Sequence, residues 1–185
     1  MRFYFIIYLM FLFLIFPNCG LSVQEIEDKF NDGIKNYSEK NLDKAIVNFT
    51  EVVDADGDHL PARIMLGKSL YYKGDYEKAL KIFYKIDDDF SGNSLAKNWI
   101  GKILIQYPEK LEESKEYFLK SIQFDDNQID SYFYLGRIAE NKGDLKSALL
   151  YYNKGIEISK KSDKIFKSIK SIYDKAGVSI NEKSK

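Results

Sequence analysis

Residues 66–83 read LGKSLYYKGDYEKALKIF. In that stretch Gly67, Ala79 and Phe83 stand twelve and then four residues apart, on either side of Gly74-Asp75. The same set recurs along the chain. Small residues fall at Ala45, Ala79, Ser114 and Ala148, at spacings of 34, 35 and 34, and an aromatic follows each by four: Phe49, Phe83, Phe118 and Tyr152. Gly33, Gly67 and Gly136 precede their small residue by twelve, whereas Gly101 precedes Ser114 by thirteen and so absorbs the one extra residue. Leu66, Ile100 and Leu135 immediately precede the last three of these glycines. Self-similarity at a fixed period of this length is the mark of a repeat architecture.

The spacing has a physical cause. Glycine at 74 and 143 stands where a first helix must end, and Asn41, Asp75 and Asp144 stand where a second helix takes its N-cap. Two antiparallel helices approach closely only where both present small side chains. Gly67 and Ala79 supply that contact, and Phe83 fills the space one turn further on. A unit this short cannot bury its own apolar face, so neighbours must stack. The pattern resembles the tetratricopeptide repeat (TPR), a 34-residue helix–turn–helix unit with a Trp–Leu–Gly–Tyr, Ala–Phe and Pro signature. The resemblance implies an all-α fold: a TPR helix–turn–helix solenoid of about four repeats over 22–162, plus a C-terminal capping helix. The repeats are expected at about 26–59, 60–93, 94–128 and 129–162. In repeat 3 the extra residue falls near QYPEKLEES, where Pro108 blocks helix continuation. The capping helix is expected over 163–177, where Phe166, Ile169 and Tyr173 are spaced like another first helix and Gly177 lies 34 residues beyond Gly143. Residues 178–185, VSINEKSK, are expected to be a disordered tail.

The other end is of a different kind. Residues 1–20 read MRFYFIIYLMFLFLIFPNCG, with one arginine and then an apolar run from Phe3 to Phe16. Fourteen helical residues rise about 21 Å, short of the roughly 30 Å of hydrocarbon that a spanning helix must cross. A positive start, a short apolar run and then small or polar residues make a signal peptide, here residues 1–18. The segment ends at the only cysteine. Here the chain resembles bacterial lipoproteins, whose lipobox closes on a cysteine that is acylated and becomes the mature N-terminus. Phe16-Pro17-Asn18-Cys19 fits the relaxed form of that pattern. With one cysteine there is no internal disulfide, and residues 15–24 hold no Lys, Arg or His to make a thiolate. Lipidation at Cys19 is therefore expected, with 19–21 as the tether. Ser22 and Glu25 then form a capping-box pattern at the start of the first helix.

Composition excludes several function classes. Twenty-eight basic and 28 acidic residues leave no net charge, so there is no basic footprint for nucleic acid. DADGDHLPARIM, from Asp54, suggests a calcium loop, but that loop needs Gly at its sixth position and Glu at its twelfth. His59 and Met65 stand there instead. The acidic groups at 54–58, 87–89 and 125–126 fall in successive turns between repeats and read as helix caps and a solvated edge. His59 has no Ser or Cys partner at a recognisable spacing, and neither a phosphate loop nor a metal-ligand cluster is present in the sequence. No catalytic residue, cofactor or metal is expected.

What remains is an interaction surface. The resemblance implies that first helices build the concave face of the array, at repeat positions 2, 5, 6, 9, 12 and 13. Those positions include Phe30, Ile34, Tyr37, Lys68, Tyr71, Tyr72, Trp99, Lys102, Phe133 and Arg137. The ninth position reads Ile34, Lys68, Lys102 and Arg137, a column of three cations beside aromatics. Such a groove suits an extended or helical peptide segment, apolar with acidic groups. The aromatics have an equally good use in packing between repeats. The Lys/Asn clamp of TPRs that read C-terminal carboxylates is absent, since Phe30 and Ile34 occupy two of its places. The expectation is a non-enzymatic protein–protein interaction scaffold. It is anchored by lipid to the bacterial cell envelope, at the outer membrane, and faces a membrane or periplasmic partner in outer-membrane assembly, secretion or a cell-wall complex. An inner-membrane signal-anchored TPR protein and an envelope enzyme stand as alternatives.

Overall fold

The computed structural model describes residues 21–175, with side chains through Lys161 and at Asp163. The signal segment 1–18, Cys19, Gly177 and the 178–185 tail lie outside the described residues. Among the described residues all regular structure is helical: α1 (Val23–Ser38), α2 (Leu42–Ala55), α3 (Leu60–Lys73), α4 (Tyr76–Asp89), α5 (Ser94–Leu104), α6 (Leu111–Phe124), α7 (Ile129–Asn141) and α8 (Leu145–Lys175). A 3-10 turn at Pro108–Lys110 precedes α6 and takes up the extra residue of repeat 3. The chain divides into two compact units, α1–α3 up to Asp75 and α4–α8 from Tyr76.

In the first unit, α1 opens on the capping box. The Ser22 backbone N–H donates to Glu25 Oε2 at 2.7 Å, and the Glu25 N–H donates to Ser22 Oγ at 3.3 Å. These bonds satisfy two donors that a helix start otherwise leaves open. Gly33 of α1 and Ala45 of α2 are both buried, and Phe49 lies fully buried over the glycine. A Cβ at 33 would sit 2.5 Å from Phe49 Cε1, so the glycine is required by close approach of the two helices. Phe30 packs on Phe49 with ring centroids 5.8 Å apart and on His59 at 5.0 Å. His59 caps α3, its Nδ1 accepting from the Ala62 N–H at 3.1 Å. The one histidine is thus a structural cap. The turn from α1 to α2 passes through Lys40 at φ 62°, and α3 ends at Gly74 with φ 92°. Asn41 stands at the N-cap of α2 as expected, but its side chain makes no cap bond there; its Nδ2 donates to Glu39.

The second unit repeats the device with variations. A Cβ at Gly101 would lie 2.8–2.9 Å from three atoms of the Phe118 ring, and one at Gly136 would strike Tyr152. Ser114 takes the alanine's place in repeat 3, and its Oγ donates to the Gly101 carbonyl at 2.9 Å. The buried hydroxyl is therefore satisfied. Rings stack between repeats: Phe83 on Trp99 at 5.6 Å and Phe118 on Tyr134 at 5.1 Å, each pair within 6° of parallel. A short polar relay crosses three helices beside them. Asn98 Nδ2 donates to Ser131 Oγ at 2.7 Å, Ser131 to Ser121 Oγ at 3.0 Å, and Ser121 to the Ser94 carbonyl at 2.8 Å. Lys97 is buried, paired with Asp87 and donating to the Ser91 carbonyl at 2.6 Å. Part of the acidic 87–89 group thus holds a buried cation, where the sequence pointed to a solvated edge. Asp144 caps α8 by accepting from the Ser147 N–H at 3.1 Å.

The C-terminal end departs from expectation in its boundary. The 163–177 segment is helical as far as Lys175, but no turn separates it from repeat 4: α8 is one 31-residue helix. Between Leu145 and Lys175 there is no proline and a single glycine, Gly155. Nothing in the local sequence compels a break.

Candidate functional site

In the first unit, α1 and α3 bring Tyr37, Tyr71 and Tyr72 together. Tyr72 stands edge-on to both neighbours, 6.1 Å from Tyr37 and 5.3 Å from Tyr71. With Ser38, Lys40 and Leu42 from the turn, Tyr37 and Tyr72 line an open, mainly apolar cavity of about 410 Å³. Tyr72 is 56 % exposed. The Lys68 ammonium sits 5.6 Å from the centre of the Tyr37 ring, close enough for a cation–π contact. Burial, with Tyr72 beside it, pushes the Tyr37 hydroxyl up to about 12, because removing it from water disfavours the phenolate. The surface therefore offers the protonated Tyr37 phenol and ring faces with a cation at their side. Ile34 is exposed one turn earlier on α1, whereas Phe30 faces the core.

The second unit handles the corresponding positions differently. Trp99 is 6 % exposed, its ring flat against Phe83. Lys102 lies 4.2 Å over the Trp99 ring and pairs with Asp130 at 3.0 Å, its side chain only 12 % exposed. Both residues are taken up within the fold. Phe133 and Arg137 are exposed, with the guanidinium 5.9 Å from the Phe133 ring centre. The residues named from sequence thus fall into separate groups: a tyrosine cluster with Lys68 in the first unit, and Phe133 with Arg137 at the last repeat of the second.

Two family models described as tetratricopeptide repeat match the sequence, one over residues 37–103 and one over 129–162. The chain carries tetratricopeptide repeats. Solved structures agree on the fold. MamA 41-end from Desulfovibrio magneticus RS-1 is similar at 22 % identity and a TM-score of 0.64, over 75 % of this chain and 77 % of that one. TTC0263, a thermophilic TPR protein of Thermus thermophilus, has a TM-score of 0.64 at 10 % identity, over 72 % and 74 %. The hetero-tetramer Cut9-Hcn1 of the APC/C gives 0.69 at 21 % identity, over 75 % of this chain and 27 % of that one. No curated protein matches the chain in sequence.

Within the TPR frame, one surface escaped the sequence reading. Ile129, Phe133, Tyr152, Gly155, Ile156 and Ser159 line a groove of about 360 Å³ that is almost wholly apolar. Only Phe133 among them was named as a contact residue, because the family expectation attends to first helices and reads Tyr152 as the repeat aromatic. A signal was available: Tyr152 and Ile156 occupy the places of Phe118 and Ile122, yet they belong to the last TPR.

Proposed function

We propose that this protein is a non-enzymatic TPR scaffold, held at the bacterial cell envelope through an acylated Cys19, that captures a peptide segment of a membrane or periplasmic partner. The observation that carries the reading is the tyrosine cluster of the first unit, with Tyr72 exposed and Lys68 against half-buried Tyr37. Exposed aromatics beside a cation suit a segment with apolar anchors and acidic groups, since rigid rings supply contact area at small entropic cost and the ammonium favours a carboxylate. Such a segment engages as a helix or an extended strand of chain. The start of α1 supports the anchoring part of the proposal. Gly20 and Leu21 alone separate Cys19 from the capping box, a reach of about 7 Å. An acyl chain there would hold the first unit close to the bilayer.

Mass spectrometry of the N-terminus in membranes tests the anchor. A diacylated or triacylated Cys19 is expected, and an intact Met1 would replace it with a signal anchor. Binding of an amphipathic peptide carrying two or more carboxylates, followed by tyrosine fluorescence, tests the surface. Tyr72→Ala together with Lys68→Glu is expected to weaken binding at least tenfold with an unchanged far-UV circular dichroism spectrum. Equal binding by parent and variant removes the tyrosine cluster from the proposal.

A further inference from the structure

Each second helix of the second unit carries an aromatic at the same place: Phe83 on α4, Phe118 on α6 and Tyr152 on α8. The first two are fully buried because the next first helix lays Trp99 or Tyr134 flat upon them. Tyr152 instead meets Phe133 of its own repeat, 6.2 Å away and tilted by 44°, and stays half-buried. Around it Ile129, Phe133 and Ile156 are 41 %, 48 % and 50 % exposed, and they form the apolar groove. The groove is therefore the next position of the repeat-to-repeat interface already seen twice in this unit. A stacked array needs a cover at such an end.

The sequence contains a segment of the right kind. Phe166, Ile169 and Tyr173 have first-helix spacing, but they lie on the continuation of α8. Ile169 is thirteen residues beyond Ile156, or about 20 Å along the helix axis, so an unbroken α8 carries its own segment away from its own groove. We propose that the groove is filled by residues 163–175 of a second copy, in a reciprocal exchange that makes an isologous dimer. Charge fits the exchange. Asp125, Asp126 and Glu157, against Lys154, act electrostatically on Tyr132, whose Cβ would stand 3.8 Å from a Cβ placed on Gly155 of the groove. Residues 163–175 carry Lys164, Lys167, Lys170 and Lys175 against Asp163 and Asp174.

The test uses the full chain in membranes, with a photo-crosslinking amino acid in place of Ile156. Illumination is expected to give an adduct of twice the chain mass, whose crosslinked peptide comes from residues 163–175. The Ile169→Asp substitution is expected to cut that adduct at least fivefold while helical content is retained. An adduct of single-chain mass means that α8 folds back on its own groove, and it overturns the proposal. So does an adduct with any other protein, a dimer crosslinked through a different peptide, or no adduct.

Discussion

The two units set the aromatic residues that pack or stay open in their first helices at different distances from the repeat glycine. In the second unit the residue two before the repeat glycine is Trp99 or Tyr134, and it stacks on the preceding second helix. In the first unit Asn31 and Met65 hold those positions, and the aromatics move to Tyr37, Tyr71 and Tyr72, four and five residues after the glycine. There Tyr37 and Tyr72 line a cavity instead of filling a core. The lysines follow the aromatics: Lys102 is folded over Trp99 and Asp130, while Lys68 rests against half-buried Tyr37. At these positions one periodic pattern thus yields packing in the second unit and a candidate contact surface in the first. What separates them is register along the helix, not composition.

The largest effect that would sharpen this contrast is expected from Trp99→Ala. Removing a buried, stacked ring should cost about 3–5 kcal/mol in chemical denaturation, whereas Tyr72→Ala should stay within about 0.5 kcal/mol of the parent. Comparable losses at both sites would break the comparison. Next comes Gly101→Ala. Its Cβ must push the Phe118 ring aside, and overpacking of this kind costs about 1–3 kcal/mol even after the helix gains a better former. A neutral result would show that the two helices can separate.

Smaller and opposite in sign is Lys40→Gly. Lys40 holds φ 62° where the equivalent turns use Gly74 and Gly143, so glycine should raise stability by up to about 1 kcal/mol. Thermal unfolding of the two proteins, run side by side, decides it. The smallest effect concerns pH. With Tyr37 pushed up to about 12, folded and unfolded chains hold its proton equally below about pH 10. Above that pH the unfolded chain releases the proton first, so stability falls as pH rises toward 12. Tyr37→Phe should flatten that fall, and a slope identical to the parent's would show that Tyr37 titrates normally.

The helix pairs were legible in the sequence because their cause is local. Glycine against an aromatic, a left-handed turn and a capping box are each written within a few residues, as Gly33, Gly74 and Ser22 show. The partition of the site was not legible, since Trp99 and Tyr71 look alike on a list of repeat positions. What distinguishes them is the ring that meets them from the neighbouring helix. Lys97 illustrates the same limit: nothing near it in sequence announces burial, and its partner Asp87 lies ten residues back across a turn. The length of α8 was hidden for a different reason. A repeat pattern predicts a boundary at every period, but a helix stops only where a residue stops it.

The relay from Asn98 through Ser131 and Ser121 to Ser94 has a consequence for how this protein can evolve. Repeat arrays grow and shrink by copying modules, which is easy when the joints are greasy and interchangeable. At this joint the modules are keyed. The places of Ser131, Ser121 and Asn98 are held elsewhere by Ala96, Ile86 and Phe133. A duplicated or transplanted third or fourth module would bury hydroxyl and amide groups against hydrocarbon, at about 1–3 kcal/mol for each group left alone. The order of the repeats is thereby locked, and a lineage that acquires such a key gives up the freedom to lengthen at that point.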